Sequence, residues 1–164
     1  MGTAVHFREL QPEDSAAIAA IWRTGAEESG MRDPAFRPRI SVAAYGERVR
    51  ADLAASKVFG WAAFATPAHE EPLCGYLTAE IREPSVEWAQ DRILYVLDVD
   101  VAPAWRGRGI AKALVNLAVE RAVSLGISRL ELSWIANDPR SSEVWARLGF
   151  REYLVRGYLL VKTR

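Results

Sequence analysis

Two hydrophobic periods alternate along this chain, and the change from one to the other marks its elements. Val5–Arg8 reads as a short strand. Pro12-Glu-Asp then opens a helix in which Ile18, Ile21 and Trp22 recur at helical spacing. Glu27 to Pro34 carries one apolar residue, Met31, among Ser29, Gly30, Asp33 and Pro34, and predicts a breaker-rich loop. A second helix near Ser41–Ala55 presents Val42, Tyr45, Val49 and Leu53. Lys57–Ala65 and Leu73–Arg82 predict an antiparallel hairpin with a loose connection over Thr66–Pro72. In the strand that ends before Pro103, Tyr95, Leu97, Val99 and Val101 alternate with Asp98 and Asp100. This places the two carboxylates on one face.

A helix follows that strand at once, with Ile110, Leu114, Leu117 and Ala118 as its apolar stripe and Gly126 as its stop. Leu130–Trp134 predicts a strand parallel to the central one, because a helix joins the two. A short helix runs from Asp138-Pro139 to Leu148, closed by Gly149. Phe150–Val155 and Tyr158–Val161 predict a last hairpin turning at Arg156-Gly157. The 164 residues show no repeat or linker and suit one core. The expected architecture is a single α/β domain over residues 1–164.

Composition narrows the function classes. With 21 basic and 21 acidic residues the formal net charge is zero, so neither nucleic acid nor an anionic membrane is an expected partner. The lone Cys74 has no disulfide partner and sits in an apolar run. His6 and His69 lack companions at ligand spacing, and no metal is expected. With no leader or membrane-length apolar span, a reducing cytoplasm is the expected location.

The chemistry-bearing stretch is the strand–turn–helix through Arg106-Gly107-Arg108-Gly109. A glycine turn feeding a helix N-terminus leaves backbone N–H groups unpaired and points a positive dipole end outward, which makes a phosphate site. The spacing fits neither a Walker loop nor a dinucleotide fingerprint, whose third glycine slot holds Lys112. Arg106-x-x-Gly109-x-Ala111, directly after a strand ending in Val-x-Val-x-Pro, resembles the pyrophosphate loop of the GNAT superfamily of N-acetyltransferases. Ser141-x-x-Val144-Trp145-x-x-Leu148-Gly149-Phe150 is similar to that superfamily's late helix, and the order of elements matches nearly the whole chain.

The resemblance implies a GNAT-like fold: a mixed, mostly antiparallel sheet flanked by helices, with a splay between two parallel central strands. It implies acetyl-CoA as acyl donor and direct transfer of acetyl to a primary amine, small or peptidic, by a monomer or homodimer. It implies that amides of Gly107, Arg108, Gly109, Ile110, Ala111 and Lys112 surround the pyrophosphate, with charge from Arg106, Arg108 and Lys112. Val99, Asp100 and Val101 would pair with the pantetheine arm, and Asn137 or Asp138, with Ser142, would serve it across the splay.

At pH 7 only about one alkyl amine in two thousand is the free base, so a carboxylate is needed to take the proton. Asp98 leads, with Asp100 and Glu80 as alternatives. Glu27 and Glu28 are an acidic pair on the expected acceptor side. The superfamily's general-acid Tyr is replaced here by Trp145, which leaves Ser142 or Tyr153 to protonate the thiolate, or unaided departure. A non-catalytic acyl-CoA-binding module is the competing reading.

Overall fold

In a computed structural model of the chain, the structure describes residues 4–66, 73–84, 91–135, 138–154 and 156. Contacts divide it into two compact units after Ser133. The first holds strands β1 (His6–Glu9), β2 (Phe59–Phe64), β3 (Leu73–Arg82), β4 (Ile93–Val101) and β5 (Leu130–Glu131), with helices α1 (Ser15–Arg32), α2 (Val42–Ala54) and α3 (Ile110–Ser124). The sheet order is β1-β2-β3-β4-β5. Neighbours are antiparallel except β4 and β5, which are parallel. This is the expected mixed, mostly antiparallel α/β fold. No helix among the described residues is long and apolar enough to cross a membrane.

Each face of the sheet has its own cover. On one, Ala62, Phe64 and Tyr76 pack with Ile18 and Ile21 of α1 and Tyr45 and Val49 of α2. On the other, α3 buries Ile110, Leu114, Val115, Ala118 and Ala122 against the middle strands. Burial of such side chains stabilises by roughly 1.5–3 kcal/mol each. Ser41 caps α2, its hydroxyl accepting from the Ala44 N–H at 3.1 Å.

Three expectations need correction. Glu27 to Arg32 is not loop: α1 runs for 18 residues to Arg32 and stops at Asp33, before Pro34. Gly25 and Gly30 lie inside it at places where other chain segments come close, so tertiary packing offsets a helix cost of about 1 kcal/mol apiece. Second, β4 does not alternate without a break. Thr78 pairs with Asp98 and Ala79 with Val96, so Leu97 is the extra residue of a β-bulge. The bulge moves Tyr95 to the face of Asp98 and Asp100, puts Val96 with Val99 and Val101, and leaves Leu97 exposed. Third, the strand at Leu130–Trp134 pairs with β4 only at Leu94–Leu130 and Tyr95–Glu131. Beyond Tyr95, where the bulge interrupts its alternation, β4 has no partner on its β5 side among the described residues. An end to the pairing there is what a splay between the two parallel strands requires.

The second unit contains α4 (Pro139–Arg147), entered through Pro139 and left at Gly149, whose φ is +90°. Phe150 to Leu154 forms no strand, contrary to expectation, and Tyr158–Val161 lies outside the described residues. The loose loop over 67–72 is likewise outside them.

Candidate active site

The bulge at Leu97 directs Asp98 toward the layer of α1 and α2. There Tyr45 of α2, its ring stacked on Trp22 of α1 at 3.9 Å, meets Tyr76 of β3. Both phenols donate to the same oxygen, Asp98 Oδ2, at 3.1 Å each. The neighbouring Val99 N–H also favours the charged form of this carboxylate. Burial pushes the Asp98 pKa up, opposed by the phenols, by the Val99 amide and by the charge of Arg48, whose guanidinium lies over the Tyr45 ring at 5.0 Å. Burial and the Asp98 charge push both phenols above their ordinary range, so they remain donors.

Asp100 is on the same face, one register step beyond, opposite Tyr76. Its carboxyl lies against Gly25 of α1, where an added Cβ would come 2.1 Å from Oδ2. Only a residue without a side chain admits it there. The Val101 N–H donates to Oδ1 at 3.1 Å, and Arg106 approaches the same oxygen at 4.0 Å. Burial first, then the negative charge of Asp98, pushes the Asp100 pKa up to about 7; Glu28 adds to the rise, while the Val101 amide and Arg106 oppose it. Two neighbouring carboxylates with such different surroundings titrate in sequence rather than together.

Arg106 is held inside this cluster. Its guanidinium donates to the Val101 carbonyl at 3.0 Å and to Glu28 at 2.7 Å, tying the end of β4 to the last turns of α1. The charges left to the outer loop are Arg108, which lies over the Trp105 ring at 4.7 Å, and the exposed Lys112. Glu27 pairs with Arg23 at 2.6 Å. Glu80 shares the sheet face of Asp98 but is paired with Arg82 at 2.6 Å and is not joined to the tyrosine cluster.

The loop is built from backbone. Gly107 and Gly109 have φ of +76° and +79°, a region that costs L-residues with a side chain, and an added Cβ at either would meet nothing within 4 Å. Gly109 is the N-cap of α3 and supplies no side-chain cap, so the first-turn amides of Ile110, Ala111 and Lys112 lack intrahelical acceptors. Open space, free donors and a positive helix end fit the phosphates of a CoA-type ligand. The edge of β4 at Val99–Val101 fits an extended amide chain, because its ladder toward β5 has already ended.

In the second unit the Trp134 indole donates to Ser142 Oγ at 3.0 Å, and Ser141 Oγ bonds buried Asp138 at 2.5 Å. Trp145 packs edge-on against Phe150 at 5.7 Å, and Tyr153 is 61% exposed. Asn137 lies outside the described residues. Sequence reasoning took Tyr45 only as part of a helix stripe and gave Tyr76 and Gly25 no role. A buried phenol needs a hydrogen-bond partner, and that was the available signal for the tyrosines.

Comparison with known proteins bears on the family and the fold. The model of the Acetyltransferase (GNAT) family matches residues 31–150. An uncharacterised N-acetyltransferase of Methanocaldococcus jannaschii is 39% identical over 69 residues, a match that spans 41% of this chain and 30% of that protein. The BH1408 protein of Bacillus halodurans superposes with a TM-score of 0.81 at 17% identity, over 96% of this chain and 99% of that one. A GCN5-related N-acetyltransferase from Ralstonia eutropha gives 0.72 at 22% identity, over 96% and 99%. The aminoglycoside acetyltransferase AAC(6')-Iy, bound to the bisubstrate analog CoA-S-monomethyl-acetylneamine, gives 0.71 at 17% identity, over 98% and 99%.

Proposed function

The chain belongs to the GNAT family of acetyltransferases, enzymes that take their acetyl group from acetyl-CoA, and from that premise we propose that it acetylates a primary amine by direct transfer in a ternary complex. The observation that carries this reading is the pair Asp98 and Asp100, fixed on β4 just before the open N-terminus of α3. The family match crosses the boundary at Ser133, which supports reading residues 1–164 as one acetyltransferase domain.

Acetyl-CoA supplies a thioester whose sulfur departs as a thiolate. The amides of Gly107 to Lys112, with Arg108 and Lys112, bind the phosphates, and the β4 edge at Val99–Val101 orients the arm that leads from them. Asp98 and Asp100 attract the cationic amine and remove its proton, which raises the fraction of free base from about one in two thousand. The amine then attacks without a covalent enzyme intermediate, and Cys74 is buried within β3. A thiol with a pKa of about 8.5 leaves without a strong general acid, which accommodates Trp145 in place of a tyrosine.

Calorimetric titration with acetyl-CoA, followed by thiol release over alkylamines, peptides and aminoglycosides, tests the proposal. Aminoglycosides enter the panel because the superposed AAC(6')-Iy is an aminoglycoside acetyltransferase. Micromolar binding with amine-dependent release is expected. Binding without release across the panel would favour a non-catalytic acyl-CoA module, in which the carboxylate pair has no task.

A further inference from the structure

We infer that the two carboxylates divide the work on the amine: Asp98, clamped by Tyr45 and Tyr76, is a fixed anion that seats the ammonium, and Asp100 is the group that takes its proton. This rests on the reading that an amine is acetylated at this site.

The argument is one of hydrogen-bond capacity. A carboxylate oxygen that already accepts from two phenols is stabilised as the anion by them, and a proton arriving there must displace a donor. Asp98 is such a group, with Tyr45, Tyr76 and Val99 around it. Asp100 accepts one backbone hydrogen bond, from Val101, and Arg106 stands off at 4.0 Å, its nearer contacts being Glu28 and Val101. It retains acceptor capacity and is 20% exposed.

Every element packed against Asp100 brings a defined group. From α1 come Gly25 and Glu28, from β3 Tyr76, from β4 Asp98, and from the loop Arg106; Tyr45 and Arg48 of α2 face Asp98. Asp98 is the first negative neighbour of Asp100, so the pair ionises in the order Asp98, then Asp100, and the second step lies near neutrality. A base poised there accepts a proton readily and gives it back to water after each turnover. In the step itself an N–H bond of the ammonium breaks and its electron pair stays on nitrogen. That proton ends on Asp100. The sulfur departs as thiolate, and it takes up the second N–H proton lost on amide formation to give the free thiol.

Two measurements test this, and the first needs no acceptor. Carboxyl 13C NMR titration of the free protein, assigned with Asp98→Asn and Asp100→Asn, is expected to show Asp98 ionising first and Asp100 second, near pH 7. In Asp98→Asn the Asp100 midpoint moves down toward the ordinary range. Asp98 titrating above Asp100, or an Asp100 midpoint unmoved by Asp98→Asn, overturns the division.

The second is the pH profile of kcat for an amine that releases thiol. Asp100→Asn is expected to lower kcat roughly 100-fold or more and abolish the acidic limb, with acetyl-CoA affinity unchanged. Tyr45→Phe and Asp98→Asn are expected to raise the amine KM most. An acidic limb that survives Asp100→Asn and vanishes in Asp98→Asn reverses the roles and defeats the proposal. If no amine releases thiol, the acetyltransferase reading fails by itself, while the NMR order of ionisation still decides whether the pair is built as described.

Discussion

The glycine loop at Arg106–Gly109 and the carboxylate pair at Asp98 and Asp100 are neighbours in sequence and are built in opposite ways. The loop is a backbone device, made by two residues at positive φ and a helix start left without a cap, and it faces open space. The pair is a side-chain device, made where β3, β4, α1 and α2 converge, and its polar atoms are mostly satisfied by protein. A backbone device accepts any side chain that tolerates the dihedral angle. A convergent device depends on every element that closes it. The loop therefore suits the invariant part of a reaction, and the pair suits the part that differs from one acceptor to another.

The most severe break is aimed at the loop. Gly109→Val places a β-branched residue at a φ of +79° at the N-cap of α3, where the space is open but the conformation is costly. The N-cap then relaxes, and the aligned amides are lost. Acetyl-CoA affinity is expected to fall about 100-fold by calorimetry, equivalent to roughly 2.7 kcal/mol, while far-UV circular dichroism stays that of the parent. Unchanged affinity would remove the loop from the cofactor site.

A smaller and more selective break is aimed at the pair. Gly25→Ala puts a Cβ 2.1 Å from Asp100 Oδ2, the far end of a side chain that can rotate, so the carboxylate moves and the fold holds. Ala is also favoured over Gly within a helix by about 1 kcal/mol. The variant is expected to keep or gain thermal stability and to lose roughly 10-fold in kcat, with acetyl-CoA binding intact. A displacement of about 1 Å is enough for such a loss. Full activity in Gly25→Ala would show that the seat of Asp100 does not matter.

The same contrast explains what could be read in advance. The strand, Pro103, glycine turn and helix are local chemistry, written in consecutive residues, and the structure has them in that order. The bulge is not local. Leu94 to Val101 alternates well enough to pass as an unbroken strand, and only pairing with β3 shows Leu97 to be the extra residue. Gly25 and Gly30 look like helix breakers until the segments beside them, at Asp100 and Arg37, are in place. Tyr45 and Tyr76 sit on apolar stripes, and nothing in their own stretches of sequence says that both hydroxyls reach one carboxylate 53 and 22 residues away. Arg106 reads as a phosphate-binding cation, yet Glu28, far off in the chain, claims it.

A last effect is on stability alone and leaves the chemistry aside; it separates a carboxylate held out of water from an ordinary one. The folded-state pKa of Asp100, about 7, lies above its ordinary 3.8. The folded protein thus holds this proton more tightly than the unfolded chain does. Between about pH 4 and pH 7 the unfolded chain has already released it, so folding stability falls as pH rises, and the full penalty is present above pH 7. Asp100→Asn removes the charge and keeps a carbonyl oxygen for the Val101 N–H. Its Tm is expected to exceed that of the parent by on the order of 10 °C at pH 8 and to converge with it near pH 4, since a shift of this size corresponds to about 4 kcal/mol and each kcal/mol moves Tm by roughly 2–4 °C in a chain of this size. A Tm difference that stays constant from pH 4 to pH 8 would mean that Asp100 ionises like any surface aspartate, and the packing of α1 against β4 would then have no hold on its proton.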